Sequence, residues 1–247
     1  MSGHSHWAGI KHQKSLEDQK RGNIFSKISR IISVAVREGT DPDMNSKLRQ
    51  ALDEAKVFNM PKDKIERAIK RGTGELKEEG ALEEVSYEAF GPGGTAILVE
   101  GITDNKNRTL AEIKHVLQRY EGKLAQSGSV KWLFGRKGVI TINTKNQIPN
   151  IKEAELELKA IEAGAEDMYW HKEENGELLD VYTKPEALND VRKNLESKGL
   201  KIESASLDWV AKDSIEVAEK DKENLEKLFE GLDENEAVQD IYSNLKT

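Results

Sequence analysis

The sequence predicts an α+β protein: an N-terminal three-helix domain followed by two α/β domains of ferredoxin-like (split βαβ) character, the third inserted into the second. Three observations lead there. Apolar residues recur at three-and-four spacing through the first part of the chain, and from residue 85 short β-branched and aromatic runs alternate with amphipathic segments. The final stretch holds a strand–helix–strand pattern too small to stand alone, so it completes an earlier sheet. The boundaries that follow are 1–80 for the arm, helices and linker, 81–136 with 207–247 for a discontinuous middle domain, and 137–206 for the insert.

Residues 1–22 are a basic arm with little apolar periodicity beyond Trp7, Ile10 and Leu16. Ile24, Phe25, Ile28, Ile31, Ile32, Ala35 and Val36 then trace the buried face of a first helix, with Gly39 as its cap. Asp43 is placed to N-cap a second helix whose inner face is Leu48, Ala51, Leu52 and Ala55, ending near Phe58. Pro61 opens a short third helix carrying Ile65, Ala68 and Ile69, and Gly72 closes it. The glutamate-rich run 73–84 reads as a linker that lets the helical domain reorient.

Two strands, 85–90 and 95–102, flank Gly91-Pro92-Gly93-Gly94 and predict a hairpin. A helix from about Leu110 to Tyr120 buries Ile113, Val116 and Leu117, and a strand at 130–134 follows. The insert reads as strand (139–143), helix (151–163), strand (167–173), strand (178–184), helix (186–198) and strand (201–207). A strand at 214–218, a helix at 221–232 and a strand at 238–242 complete the chain.

Net charge becomes informative once it is divided. The whole chain carries −7, yet residues 1–74 hold 15 Lys+Arg against 9 Asp+Glu, net +6, and the remainder hold 23 against 36, net −13. Such asymmetry fits a polyanion-binding front end on an acidic body. The absence of cysteine excludes disulfides, thiolate nucleophiles and cysteine-based zinc or iron–sulfur sites. No apolar run approaches the roughly 18 residues of a membrane helix, and the start MSGHSHW lacks an apolar signal core, so a cytoplasmic protein with no membrane partner is expected.

The search for catalysis is negative. No nucleophile elbow and no phosphate-loop lysine occurs, which predicts a non-enzyme without cofactor. His4, His6 and His12 cluster in sequence, but nothing nearby fixes a ligand geometry, and no metal site is expected. Gly91–Gly94 joins two strands and Pro92 removes one amide donor, so a plain turn is expected there rather than a phosphate cradle.

The basic residues have a geometry of their own. At 100° per residue, Lys27, Arg30 and Arg37 fall away from the isoleucine face of the first helix, and Lys64, Arg67, Lys70 and Arg71 share one side of the third. The arm adds Lys11, Lys14, Lys20 and Arg21, with Trp7 and His12 between them. Cations release counterions from phosphates and an aromatic ring stacks on an unpaired base, so both ingredients of a nucleic-acid surface are present. No recognition helix, RNP-type aromatic set or GXXG clamp is evident, and backbone or shape recognition is expected over base readout.

These residues lie in motifs that resemble the YebC/PmpR family. GHSHWAGIKHQK with KRGNIFSKISRII is similar to its N-terminal signature, and NMPKDKIERAIKRGTG (59–74), YEAFGPGGTAILVEGITDNKNRT (87–109) and GSVKWLFGRKG (128–138) continue the likeness in order. The resemblance implies a helical domain followed by two α/β domains, no enzymatic activity, and a cytoplasmic DNA-binding transcriptional regulator. Relatives linked to translation imply the alternative, a ribosome-associated factor contacting rRNA or tRNA, with ribosomal or regulatory proteins on the acidic domains. Matching positions are His4, Trp7, Lys11, His12, Lys14, Lys20 and Arg21 in the arm, and Lys64, Glu66, Arg67, Lys70 and Arg71 in the helical domain. Asn105, Asn107, Arg108 and Thr109 match further on. His6, Gly9 and Gln13 depart from the usual Lys, Asn and Arg, which removes two positive charges from this arm.

Overall fold

A computed structural model describes residues 18–76, 80–147, 151–173 and 176–246. In chain order its elements are α1 (Asp18–Ala35), α2 (Ser46–Val57), α3 (Lys62–Gly72), β1 (Glu83–Phe90), β2 (Ala96–Thr103), α4 (Lys106–Arg119) and β3 (Lys123–Leu124). Then follow β4 (Phe134–Asn143), α5 (Glu153–Ala163), β5 (Asp167–Glu173), β6 (Gly176–Thr183), α6 (Leu188–Ser197), β7 (Ser204–Ala211), α7 (Glu219–Asp233) and β8 (Val238–Ser243). The fold is α+β, with N-terminal helices and two four-stranded sheets. The described residues divide into two compact units, one within 14–130 and 218–241, the other within 131–217 and 242–247.

In the first unit, α1 to α3 close on Ile28, Ile32, Val36, Leu48, Ala51, Ala55 and Ala68, the positions their periodicity singles out. The cap of α2 differs from the expected one. Asn45, not Asp43, accepts the Leu48 N–H at 3.0 Å, while its side-chain amide donates to the carbonyls of Ala35 (2.7 Å) and Gly39 (2.8 Å). An amide serves here because the buried position needs a donor as well as an acceptor, which a carboxylate lacks. Helices α1 and α3 approach so closely that a Cβ on Gly72 would lie 2.3 Å from the Ser33 carbonyl oxygen. The Ser33 hydroxyl donates to the Ala68 carbonyl at 2.7 Å beside it.

β1 and β2 pair antiparallel from Glu83↔Thr103 to Phe90↔Ala96, which is the expected hairpin. Gly93 (φ 64°) and Gly94 (φ 77°) supply the left-handed turn, and Gly91 leaves room for Leu225 of α7. The first sheet runs β3-β1-β2-β8. The strand expected at 130–134 is instead a 3-10 turn, Lys131–Leu133, preceded by a loop held by a side chain. Buried Glu88 accepts the N–H groups of Gly128 (2.6 Å) and Val130 (2.5 Å), so the donor at the start of the expected strand is taken by a carboxylate.

In the second unit the order is β5-β6-β4-β7, and its three ladders are antiparallel. Helices α5 and α6 cover one face with Leu156, Ala160, Val191 and Leu195 against Ile140, Ile142, Leu179 and Val181. The β4–β7 ladder reaches Phe134↔Ala211, which carries this sheet beyond the expected seams at 136/137 and 206/207. Of the strand expected at 214–218 only an isolated Ile215↔Leu245 bridge forms. No helix among the described residues is long and apolar enough to cross a membrane.

Candidate nucleic-acid interface

Helix α3 carries the densest group of exposed cations that the sequence singles out. Pro61 stands before its first turn with no N–H to leave unsatisfied, and Ala68 is buried against the α1 and α2 core. That burial orients the opposite side outward, where Lys64, Arg67 and Lys70 are exposed. The Lys64 ammonium stands 4.9 Å from the centre of the Phe25 ring, a cation–π contact that restrains the side chain while leaving it accessible. Two of these cations, Lys70 and the neighbouring Arg71, lie in the last turn, where the helix dipole favours positive charge.

Helix α1 does not carry the open cationic face expected of it. Lys27 is buried at 4% exposure, and its ammonium donates to Asp233 of α7 at 2.7 Å. Arg30 donates to the Ile102 carbonyl at 3.3 Å and stands 3.6 Å from Glu236. Neither forms the open cationic face that the helical projection suggests. Lys27 sits at the edge of the isoleucine stripe, so docking of α1 against α7 covers it. Arg21 and Arg37 are exposed. Lys106, by hydrogen bond and charge, holds the Glu83 carboxyl below its usual range, with a smaller contribution from Arg37.

Arg71 behaves like Arg30. Its guanidinium donates to the Gly80 carbonyl at 3.0 Å and lies 3.6 Å from Asp104. Arg108 donates to the other Asp104 oxygen at 2.6 Å. Asp104 therefore meets arginines from two helices, α3 and α4. Burial, the largest influence, pushes its carboxyl upward, but Arg108, Arg30, a backbone hydrogen bond and Arg71 outweigh it and hold it below the usual carboxylate range. The helical projection missed Asp104; its spacing of four residues before Arg108 is the signal that was available.

The Asn105–Thr109 block is a helix start. Asn105 N-caps α4 by accepting the Arg108 N–H at 3.0 Å, and Thr103 and Thr109 share a buried hydroxyl contact at 2.8 Å. Asn107 lines a shallow recess with Tyr87, Lys106 and Leu110. His4, Trp7, Lys11, His12 and Lys14 lie outside the described residues, as does the side chain of Lys20. The structure thus brings Arg71 and Arg108 together on the Asp104 carboxylate, sets Arg30 beside Glu236, and leaves Lys64, Arg67 and Lys70 exposed on one helix.

Comparison with known proteins covers nearly the whole chain. A model of the TACO1/YebC protein N-terminal domain matches residues 5–75, and a model of the TACO1/YebC second and third domain matches residues 82–245. A probable transcriptional regulatory protein of Halothermothrix orenii is 48% identical over 99% of this chain and 94% of its own. One from Thermoanaerobacter pseudethanolicus is 46% identical over 100% and 97%. The crystal structure of a conserved hypothetical protein from Aquifex aeolicus superimposes with a TM-score of 0.83 at 44% identity, covering 98% of this chain and 96% of that one. With both parts of the chain matched in order and relatives aligned end to end, the chain belongs to the TACO1/YebC family.

Proposed function

We propose that this chain is a cytoplasmic nucleic-acid-binding regulatory protein, a DNA-binding transcriptional regulator, that grips the phosphate backbone with α3 and the basic arm. The observation that carries this reading is the row of exposed cations on α3. Lys64, Arg67 and Lys70 are exposed along one side of a short helix, while Lys27 is buried and Arg30 and Arg71 are half-buried. Arg21 and Arg37 add exposed charge on α1. The relatives' description as probable transcriptional regulatory proteins supports the same reading. The order β5-β6-β4-β7, with α5 and α6 on one face, supports a ferredoxin-like scaffold for the second unit, and the acidic surface beyond residue 74 suits basic regulatory or ribosomal proteins.

The test is equilibrium binding to duplex DNA and to ribosomal RNA across a salt series. Backbone contact to duplex gives a log–log slope of about −0.9 per phosphate neutralised, with little dependence on sequence. A flat response to salt overturns the reading. Binding to rRNA with none to duplex replaces DNA with the ribosomal partner.

A further inference from the structure

A second group of cations and aromatic rings lies wholly within the other unit, where β4 meets β7. Trp132 is 64% exposed, an unusual position for the largest apolar side chain. Its backbone is held on one side: the Lys212 ammonium donates to the Trp132 carbonyl at 2.8 Å, and the Lys212 N–H donates to the Leu133 carbonyl at 2.9 Å. Beside it, Trp209 pairs across the ladder with Arg136. The Lys131 ammonium lies 4.6 Å from the centre of the Trp209 ring and the Arg136 guanidinium 5.2 Å. Trp209 therefore anchors two cations, and Trp132, next to Lys131 in the chain and bonded to Lys212 through its carbonyl, is exposed, as are Lys131, Arg136 and Lys212. The nearby carboxylate of Asp208 is turned inward, accepting the Ser206 hydroxyl at 2.7 Å.

We infer that this patch is a stacking site for single-stranded nucleic acid: an unpaired base lies on Trp132 while Lys131, Arg136 and Lys212 face the adjoining phosphates. The inference rests on the nucleic-acid reading above and gives it a second contact surface with a different preference. A duplex keeps its bases inside its stack, so an exposed indole gains little from it, whereas an unstacked base offers a full π-face. Cations already ordered by the Trp209 ring lose less freedom on meeting phosphate than unrestrained lysines would. The site favours no particular base, because every base has such a face.

The experiment measures full-length protein against a fluorescein-labelled oligo(dT) and a duplex of the same length. Trp132→Ala raises the dissociation constant for the single strand about fivefold or more and leaves the duplex nearly unchanged. Trp132→Phe, which keeps an aromatic face, retains most of the affinity. Equal single-strand affinity for wild type and Trp132→Ala overturns the inference, as does equal weakening on both probes or loss with Phe as large as with Ala. A Lys64→Gln, Arg67→Gln, Lys70→Gln protein separates the two claims. If it weakens binding while Trp132→Ala does not, only the stacking site falls; if wild type binds neither probe, both claims fall.

Discussion

Replacing Lys64, Arg67 and Lys70 together with Gln tests the proposed interface where the structure makes it most specific. All three side chains are exposed on α3 and glutamine is a good helix former, so the change removes charge with little effect on the helix. If each cation neutralises one duplex phosphate, the slope of log K against log salt becomes shallower by about 2.7. At roughly 0.1 M salt the same counterion contribution corresponds to about a 500-fold loss of affinity. Fluorescence anisotropy of labelled duplex from about 50 to 200 mM salt resolves such a change in slope. Arg30→Gln is the internal control, because the Arg30 guanidinium faces the Ile102 carbonyl and Glu236. An unchanged slope in the triple variant, or a comparable change with Arg30→Gln, refutes the assignment of the exposed α3 cations to the interface.

Other consequences concern stability. Lys27→Met leaves Asp233 without its ammonium partner; since Asp233 is 32% exposed, the loss is expected at about 1–3 kcal/mol, below that of a fully buried pair, and a urea midpoint shift at constant m-value measures it. No loss would mean that the pair adds nothing over solvent. Gly72→Ala drives a methyl into the Ser33 carbonyl 2.3 Å away, and is expected to destabilise by about 1–3 kcal/mol despite the better helix propensity of alanine. A rise in melting temperature would disprove the close α1–α3 contact. Asp104 has its carboxyl held low by Arg108, Arg30 and Arg71 against burial, so its contribution is present above the usual carboxylate pKa of about 3.9 and disappears as pH falls through the lower folded value. Asp104→Asn should therefore flatten the acid limb of a stability–pH curve, and an acid limb identical to wild type would exclude Asp104 as a contributor.

Much of this architecture was legible because local rules govern it. The apolar spacing of Ile28, Ile32, Leu48, Ala51 and Ala55 leads directly to the helical core, and Pro61 and Gly72 bracket α3 where punctuation residues should. The hairpin around Gly91–Gly94 follows from turn chemistry in the same way. Where a distant side chain intervened, local reading failed. Asn45 outcompeted Asp43 as a cap because the ends of two helices needed both a donor and an acceptor. The strand expected at 130–134 gave way to a 3-10 turn, entered from a loop whose Gly128 and Val130 amides are held by Glu88, some forty residues earlier. Within the run expected as a linker at 73–84, the Gly80 carbonyl accepts from Arg71 of α3, a bond that no local pattern announces.

The sequence by itself determined the helical and strand periodicities, the basic-to-acidic asymmetry and the family motifs, since each depends on neighbours a few positions apart. Tertiary structure decided which cations remain outward. Lys27 and Lys64 are indistinguishable in composition and both lie on amphipathic helices, yet one meets Asp233 across 206 positions of chain and the other meets only the edge of its own domain. A buried charge is closed off from a phosphate by the packing around it, and an exposed one remains within its reach. That difference is set by long-range packing, which no local pattern encodes.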